Sequence, residues 1–208
     1  MIFAGMIYRQ LAHPAGWGTG RIISRIWNRR NAALNDVSLN ALNVRPGDRV
    51  IEVGFGGGYL IKRIADVATG GIVAGVDISE TLVRRAKRIH RCLMAAGRVE
   101  LQCADAGSLP YPSGYFSRAA SVNSIFYWKI PQAGVLEMVR VLEKGGRMVI
   151  CFTDRASLEK QSFLKNHIHM LECHDVIRMM ERSGLKITEI THHEDAFREY
   201  HCAVGLKP

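Results

Sequence analysis

Residues 50 to 58 read Val-Ile-Glu-Val-Gly-Phe-Gly-Gly-Gly, an apolar strand carrying Glu52 that breaks into glycines at 54, 56, 57 and 58. Few local patterns constrain a chain more. Where such a turn opens a helix, the absent Cβ atoms let backbone approach a ligand closely, and the unpaired N–H groups of the first helical turn face it. The dinucleotide fingerprint places glycines at i, i+2 and i+5, the last for tight helix packing under a pyrophosphate. From Gly54 that third position is Tyr59. The glycines run i, i+2, i+4 instead, with an acid two residues ahead of the first. A carboxylate there suits a cationic ligand and opposes a pyrophosphate.

Two further strands end in acids. Gly-Gly-Ile-Val-Ala-Gly-Val-Asp at 70 to 77 reads as a short buried strand closing on Asp77, with Ser79-Glu80 starting a helix. An acid at the end of a second strand is placed to accept both hydrogens of a ribose diol, and a plain helix cap is the alternative. A third strand, Val99 to Cys103, runs into Ala104-Asp105-Ala106.

Glu52-x-Gly54-x-Gly56-x-Gly58 resembles motif I of the class I S-adenosylmethionine (SAM) dependent methyltransferases. The stretch from Asp105 through Pro110-Tyr-Pro-Ser-Gly-Tyr-Phe116, and later Glu137-Met-Val-Arg-Val-Leu-Glu-Lys-Gly-Gly-Arg-Met-Val-Ile150, is similar to the subgroup that methylates quinones and other small molecules. Two positions depart from that pattern: Ser117 stands where the subgroup has Asp, and Lys144 where it has Pro. The resemblance covers residues 48 to 153. It implies SAM as cofactor, S-adenosylhomocysteine as product, and a site formed by Glu52, Gly54, Phe55, Gly56, Gly58, Asp77, Ile78, Asp105, Ala106 and Asn123, with Asp105 near the adenine amino group. Bulk at Gly54 is expected to fill the ligand's approach.

The alternation of strands and helices predicts a doubly wound, mostly parallel seven-stranded α/β sheet of Rossmann-like methyltransferase type, closed by an antiparallel hairpin. The expected elements are a helix over 20–42, a strand near 50–53, and helices over 57–68, 80–96 and 132–142. Strands are expected at 72–77, 99–103, 118–123 and 146–152, then helices near 157–167 and 172–183 and strands near 185–192 and 198–206. At 208 residues the chain suits one such core. Residues 1 to 45 read as a leader and helical extension of a domain spanning 46 to 208, with Trp17 between Gly16 and Gly18 as a candidate lid contact.

A net charge of +9 asks for an anionic partner. Basic residues cluster at Arg21 to Arg30 and Arg84 to Arg91, on what read as outer helix faces. A solvated face and a peripheral contact with an anionic membrane surface both fit. Nucleic acid is disfavoured: no RNA-binding strand or zinc-finger spacing is present, and Asn123-Ser-Ile-Phe lacks the paired prolines of DNA amino-methyltransferases. Five scattered cysteines without a Cys-x-x-Cys pair fit a reducing cytoplasm, and no N-terminal stretch has the length of a membrane span or the cleavage pattern of a signal peptide.

Methyl transfer needs chiefly positioning, and a general base only where the acceptor must lose a proton. No residue is compelled to be that base. Tyr127 and Trp128 are candidates for a substrate wall or for core packing. His167, His169, Cys173 and His174 invite a metal reading that no carboxylate pair completes, so no metal is expected. His192-His193-Glu194-Asp195 reads as a polar hairpin turn. The expected function is methyl transfer from SAM to a small-molecule acceptor. An NAD-linked oxidoreductase and a membrane-surface lipid or quinone methyltransferase are the alternatives.

Overall fold

The computed structural model describes residues 31–160 and 168–208. Trp17 and His167, and the expected helical residues 20–30 and 161–167, lie outside the described residues. Helix α1 (Ala32–Leu42) buries Leu34, Asn35, Ser38 and Leu42 along one stripe and ends on Asn43 in the left-handed conformation. Then follow β1 (Arg49–Val53), α2 (Tyr59–Val67), β2 (Ile72–Asp77), α3 (Glu80–Ile89), α4 (Arg91–Ala95) and β3 (Val99–Cys103). Strand β4 (Phe116–Val122) leads through a single 3-10 turn (Ile125–Tyr127) to α5 (Pro131–Val141) and β5 (Leu142–Thr153). Short α6 (Arg155–Glu159), α7 (Cys173–Arg182), β6 (Lys186–Glu194) and β7 (Glu199–Leu206) complete the chain.

The seven strands pair in the order β3-β2-β1-β4-β5-β7-β6. β3, β2, β1, β4 and β5 are mutually parallel, and β7 runs antiparallel to both β5 and β6. Alternation along the strands feeds two cores. Ile51, Val53, Ala74 and Val76 join Val135 and Met138 of α5 and Val176 and Met180 of α7 on one face. Val50, Val73 and Leu101 join Leu34 of α1, Leu60, Ile61 and Ile64 of α2 and Val83 of α3 on the other. Because neighbours β1 and β4 are connected outward in opposite directions, the order reverses between them, and a crevice opens beyond their carboxyl ends.

Three of the differences from expectation have visible causes. The helix expected over 80–96 breaks at His90, whose ring is buried against the turn before α2 and whose backbone leaves helical geometry (ψ 16°). β5 begins at Leu142, four residues early, because Gly145 at φ 74° carries the chain on without ending the strand, its N–H donating to Lys207 O. β6 continues to Glu194, so His192 and His193 lie within a strand paired to His201 and Tyr200 rather than in a turn. Ser117, at the sheet's amino end, donates through Oγ to Asp48 Oδ1 at 2.7 Å.

Candidate active site

The glycine turn is shaped by what each missing Cβ makes room for. Gly54, Gly56 and Gly58 all have positive φ (79°, 52° and 72°), where a side chain is strained. A Cβ on Gly54 would fall 2.3 Å from Ser124 Oγ, and one on Gly58 2.9 Å from His90 Nε2. Ser124 is held by bonds to Val53 O (3.0 Å) and Ser121 Oγ (2.8 Å). Gly54 is therefore required by close packing of the β1 and β4 ends, a reason beyond ligand approach. Tyr59, where the dinucleotide pattern wants glycine, is the first residue of α2, and its hydroxyl accepts from Arg63 Nη1 at 2.9 Å. Phe55 is buried beneath the turn.

Asp77 fastens this turn to the end of β2. Its Oδ2 accepts from Gly56 N at 2.9 Å and its Oδ1 from Ser79 N at 2.8 Å. Ser79 in turn caps α3. Each carboxylate oxygen can accept more than one hydrogen bond, so these contacts orient the group without exhausting it. Beside it Ile78 is half exposed, an apolar surface at the crevice rim. Ala104 N bonds Asp77 O, so the β2 and β3 ends lie side by side, and Asp105 Oδ1 accepts from Gly107 N at 2.7 Å. Ala106 packs partly buried against the core.

Glu52 lies opposite Gly75 and Ala120 of the flanking strands and is almost fully buried. Burial first, and the negative charge of Asp77 second, push its carboxyl up to about 8 against the pull of the Ile61 N–H. At neutral pH Glu52 therefore holds a proton. Its Oε2 has no hydrogen-bond partner among the described residues. A carboxyl oxygen so buried without a partner calls for an explanation, and a second acid lies close enough to act on it.

Asn123 stands at φ 55° just past β4, its amide turned toward β5: Oδ1 accepts from Thr153 N (3.1 Å) and Oγ1 (2.7 Å), and Nδ2 donates to Asn31 Oδ1. Tyr127 is partly exposed, whereas Trp128 is buried over Gly134, where a Cβ would lie 2.3 Å from the indole. The structure thus brings Glu52, the glycines, Asp77 and Asp105 together, packs Trp128 into the core, and adds Ser79, Ser124 and Thr153 as supports that sequence reading did not single out. Ser79 carried a signal as a helix cap, while the other two are evident only from strand register.

A second concavity, about 710 Å³, lies beyond β5. Among the described residues no group of three or more His, Cys, Asp or Glu side chains is arranged to hold a metal.

Residues 51–150 match the methyltransferase domain family Methyltransf_11. Methyltransferase YdaC of Bacillus subtilis is 29% identical over 136 residues, 62% of this chain and 71% of YdaC. The chloroplastic 2-methyl-6-phytyl-1,4-hydroquinone methyltransferase of Arabidopsis thaliana is 30% identical over 148 residues, 70% of this chain but 38% of that protein. A geranyl diphosphate methyltransferase in complex with SAM superposes with a TM-score of 0.75 at 16% identity, covering 97% of this chain and 95% of that one. The NAD-linked alternative is not favoured. The spacing of the turn, the strand order and these matches agree: the chain belongs to the class I SAM-dependent methyltransferases.

Proposed function

We propose that the chain transfers the methyl group of SAM to an apolar small molecule bearing a ring hydroxyl, with Glu52, Gly54, Phe55, Gly56, Gly58, Asp77, Ile78, Asp105, Ala106 and Asn123 forming the cofactor site. The observation that carries this reading is the buried, proton-holding Glu52 beside Asp77 at the sheet's reversal point. When bound, SAM supplies a methyl group activated by a positively charged sulfur. The chain's residues bind and orient it. Asp77 would accept from the ribose diol, and the Glu52 carboxyl beside it would face the cofactor's cationic groups. Ile78 would cover one face of the adenine, Asp105 would accept from its amino group, and Asn123 would space the β4 end. Tyr127 is the remaining candidate for the substrate wall.

The acceptor class rests on the hydroquinone named for the plant relatives. Calorimetric titration with SAM, S-adenosylhomocysteine and NAD tests the cofactor, and NAD binding with none to either SAM compound defeats the proposal. Labelled SAM with cell extract then identifies the methylated product.

A peripheral contact with an anionic membrane is supported by exposed Arg84, Lys87 and Arg88 beside Ile89, itself 54% exposed, on α3. No helix among the described residues is long and apolar enough to cross a membrane. Sedimentation with anionic lipid vesicles, reversed by salt, is the expected result. Five free thiols support a cytoplasmic setting.

A further inference from the structure

The cavity beyond β5 contains a side-chain chain that the cofactor site does not use. His192 of β6 and His201 of β7 are direct cross-strand partners, and their Nδ1 atoms are 2.6 Å apart. His201 Nε2 lies 3.0 Å from Asp154 Oδ1 at the carboxyl end of β5. Both nitrogens of His201 are thus engaged, and its ring rests on buried Phe152. Burial alone would raise Asp154, but bonds from His201 and the Ala156 N–H outweigh it and hold the carboxyl below its usual range. Asp154 is therefore an ionised acceptor.

That fixes the tautomers. A carboxylate can only accept, so His201 Nε2 carries hydrogen, and the neutral ring presents a bare Nδ1. His192 must then donate through Nδ1–H, which leaves its basic lone pair on Nε2. His192 is solvent-exposed and lines the cavity. A proton received at His192 Nε2 is matched by transfer of the Nδ1 proton to His201, whose imidazolium then faces Asp154. The positive charge comes to rest beside a carboxylate. The cavity's other charged or titratable lining groups are Arg155 and Glu159 of α6, Glu172 and Cys173, and His174 of α7. Arg155 is paired with Glu159 and Glu172, and His174 with Glu172 and Asp175. Burial keeps the Cys173 thiol protonated. Ile177, Ile190 and Ala156 supply an apolar wall. The concavity, about 710 Å³, is broadly open to solvent. Thr153, which precedes Asp154, is bonded to Asn123 at the end of β4, so one residue links the cavity to that strand end.

We propose that this cavity receives the acceptor, an apolar molecule with a phenol-type hydroxyl, and that His192 takes the hydroxyl proton, with His201 and Asp154 as positioning residues behind it. In the step the O–H bond breaks, the Nε2–H bond forms, and oxygen keeps the electron pair as a phenolate. The proposal rests on the methyltransferase reading for the purpose of that phenolate, and its test separates the two.

4-Nitrophenol is the probe, because its phenol and phenolate forms differ in colour. Mixed with the full chain and S-adenosylhomocysteine below its own pKa, it is expected to bind and to show the phenolate band. His192→Gln should lower the bound phenolate fraction at least tenfold, and Asp154→Asn should shift its midpoint to higher pH. Histidine 15N spectra of the wild type should show one proton shared between His192 and His201 and lost in Asp154→Asn, which keeps the idea testable if His192→Gln fails to fold. No binding, an equal phenolate fraction in folded His192→Gln, or two independently titrating histidines would overturn the relay. Loss of S-adenosylhomocysteine binding in the wild type would defeat the methyltransferase reading instead.

Discussion

Glu52 sets the terms at the scale of single residues. Its carboxyl is held at about 8 in the folded chain against 4.5 unperturbed, so between these values the folded chain binds more protons than the unfolded one. The raised pKa thus contributes stability below about pH 4.5 that is lost as pH rises through 8. Holding a buried acid neutral at pH 7 costs about 2–4 kcal/mol relative to a group that needs no proton. Glu52→Gln retains an oxygen for the Ile61 N–H and removes that cost. Denaturant unfolding at pH 7 is expected to show a more stable apo chain, by about that amount, while calorimetry shows SAM affinity falling at least tenfold. Gly54 makes the complementary case. Gly54→Ala meets Ser124 at 2.3 Å and forces φ 79° on a side chain, together costing about 2–4 kcal/mol. Adding Ser124→Gly should return the steric part and leave the backbone strain, about 1–2 kcal/mol. Full recovery in the double variant would show that the turn tolerates alanine there.

At the scale of elements, the strands and the strand-end acids were legible because burial pattern and turn glycines are local. Ile72–Asp77 and Val99–Cys103 have the expected bounds. What was not legible depends on partners distant in sequence. The break at His90 is caused by the glycine turn thirty residues earlier, and the extension of β6 through His192 by pairing with β7. His192 and His201 carry no sequence motif at all; antiparallel register alone joins them. The last strand also reaches back to close α5. Lys207 Nζ donates to Val139 O (2.7 Å) and Leu142 O (2.6 Å), satisfying carbonyls that the helix end leaves open. Lys207→Met should cost about 1–2 kcal/mol in urea unfolding and speed amide exchange at the end of α5, with SAM affinity unchanged. Slow exchange there in the variant would show that the end of α5 holds without this clasp.

For the whole molecule, folding, protonation and cofactor binding form one linked equilibrium. A ligand bound only by the folded chain stabilises it by about 2.7 kcal/mol at a hundred times its dissociation constant. In a domain of this size that raises the melting temperature by about 5–10 °C. If Glu52 must ionise to receive SAM, affinity rises up to about tenfold per pH unit until pH reaches about 8. Two trends should therefore run in opposite directions between pH 6 and 8. The Glu52 contribution to apo stability declines, while the increment produced by a fixed SAM concentration grows. Subtracting the same series for Glu52→Gln removes every other titrating group, including the cofactor's own amine. The difference should also appear as proton release on SAM binding, counted by calorimetry in buffers of different ionisation enthalpy. A wild-type increment that tracks the variant's at every pH would mean that Glu52 keeps its proton in the complex. The cofactor's positive charge would then be met by Asp77 or Asp105 alone.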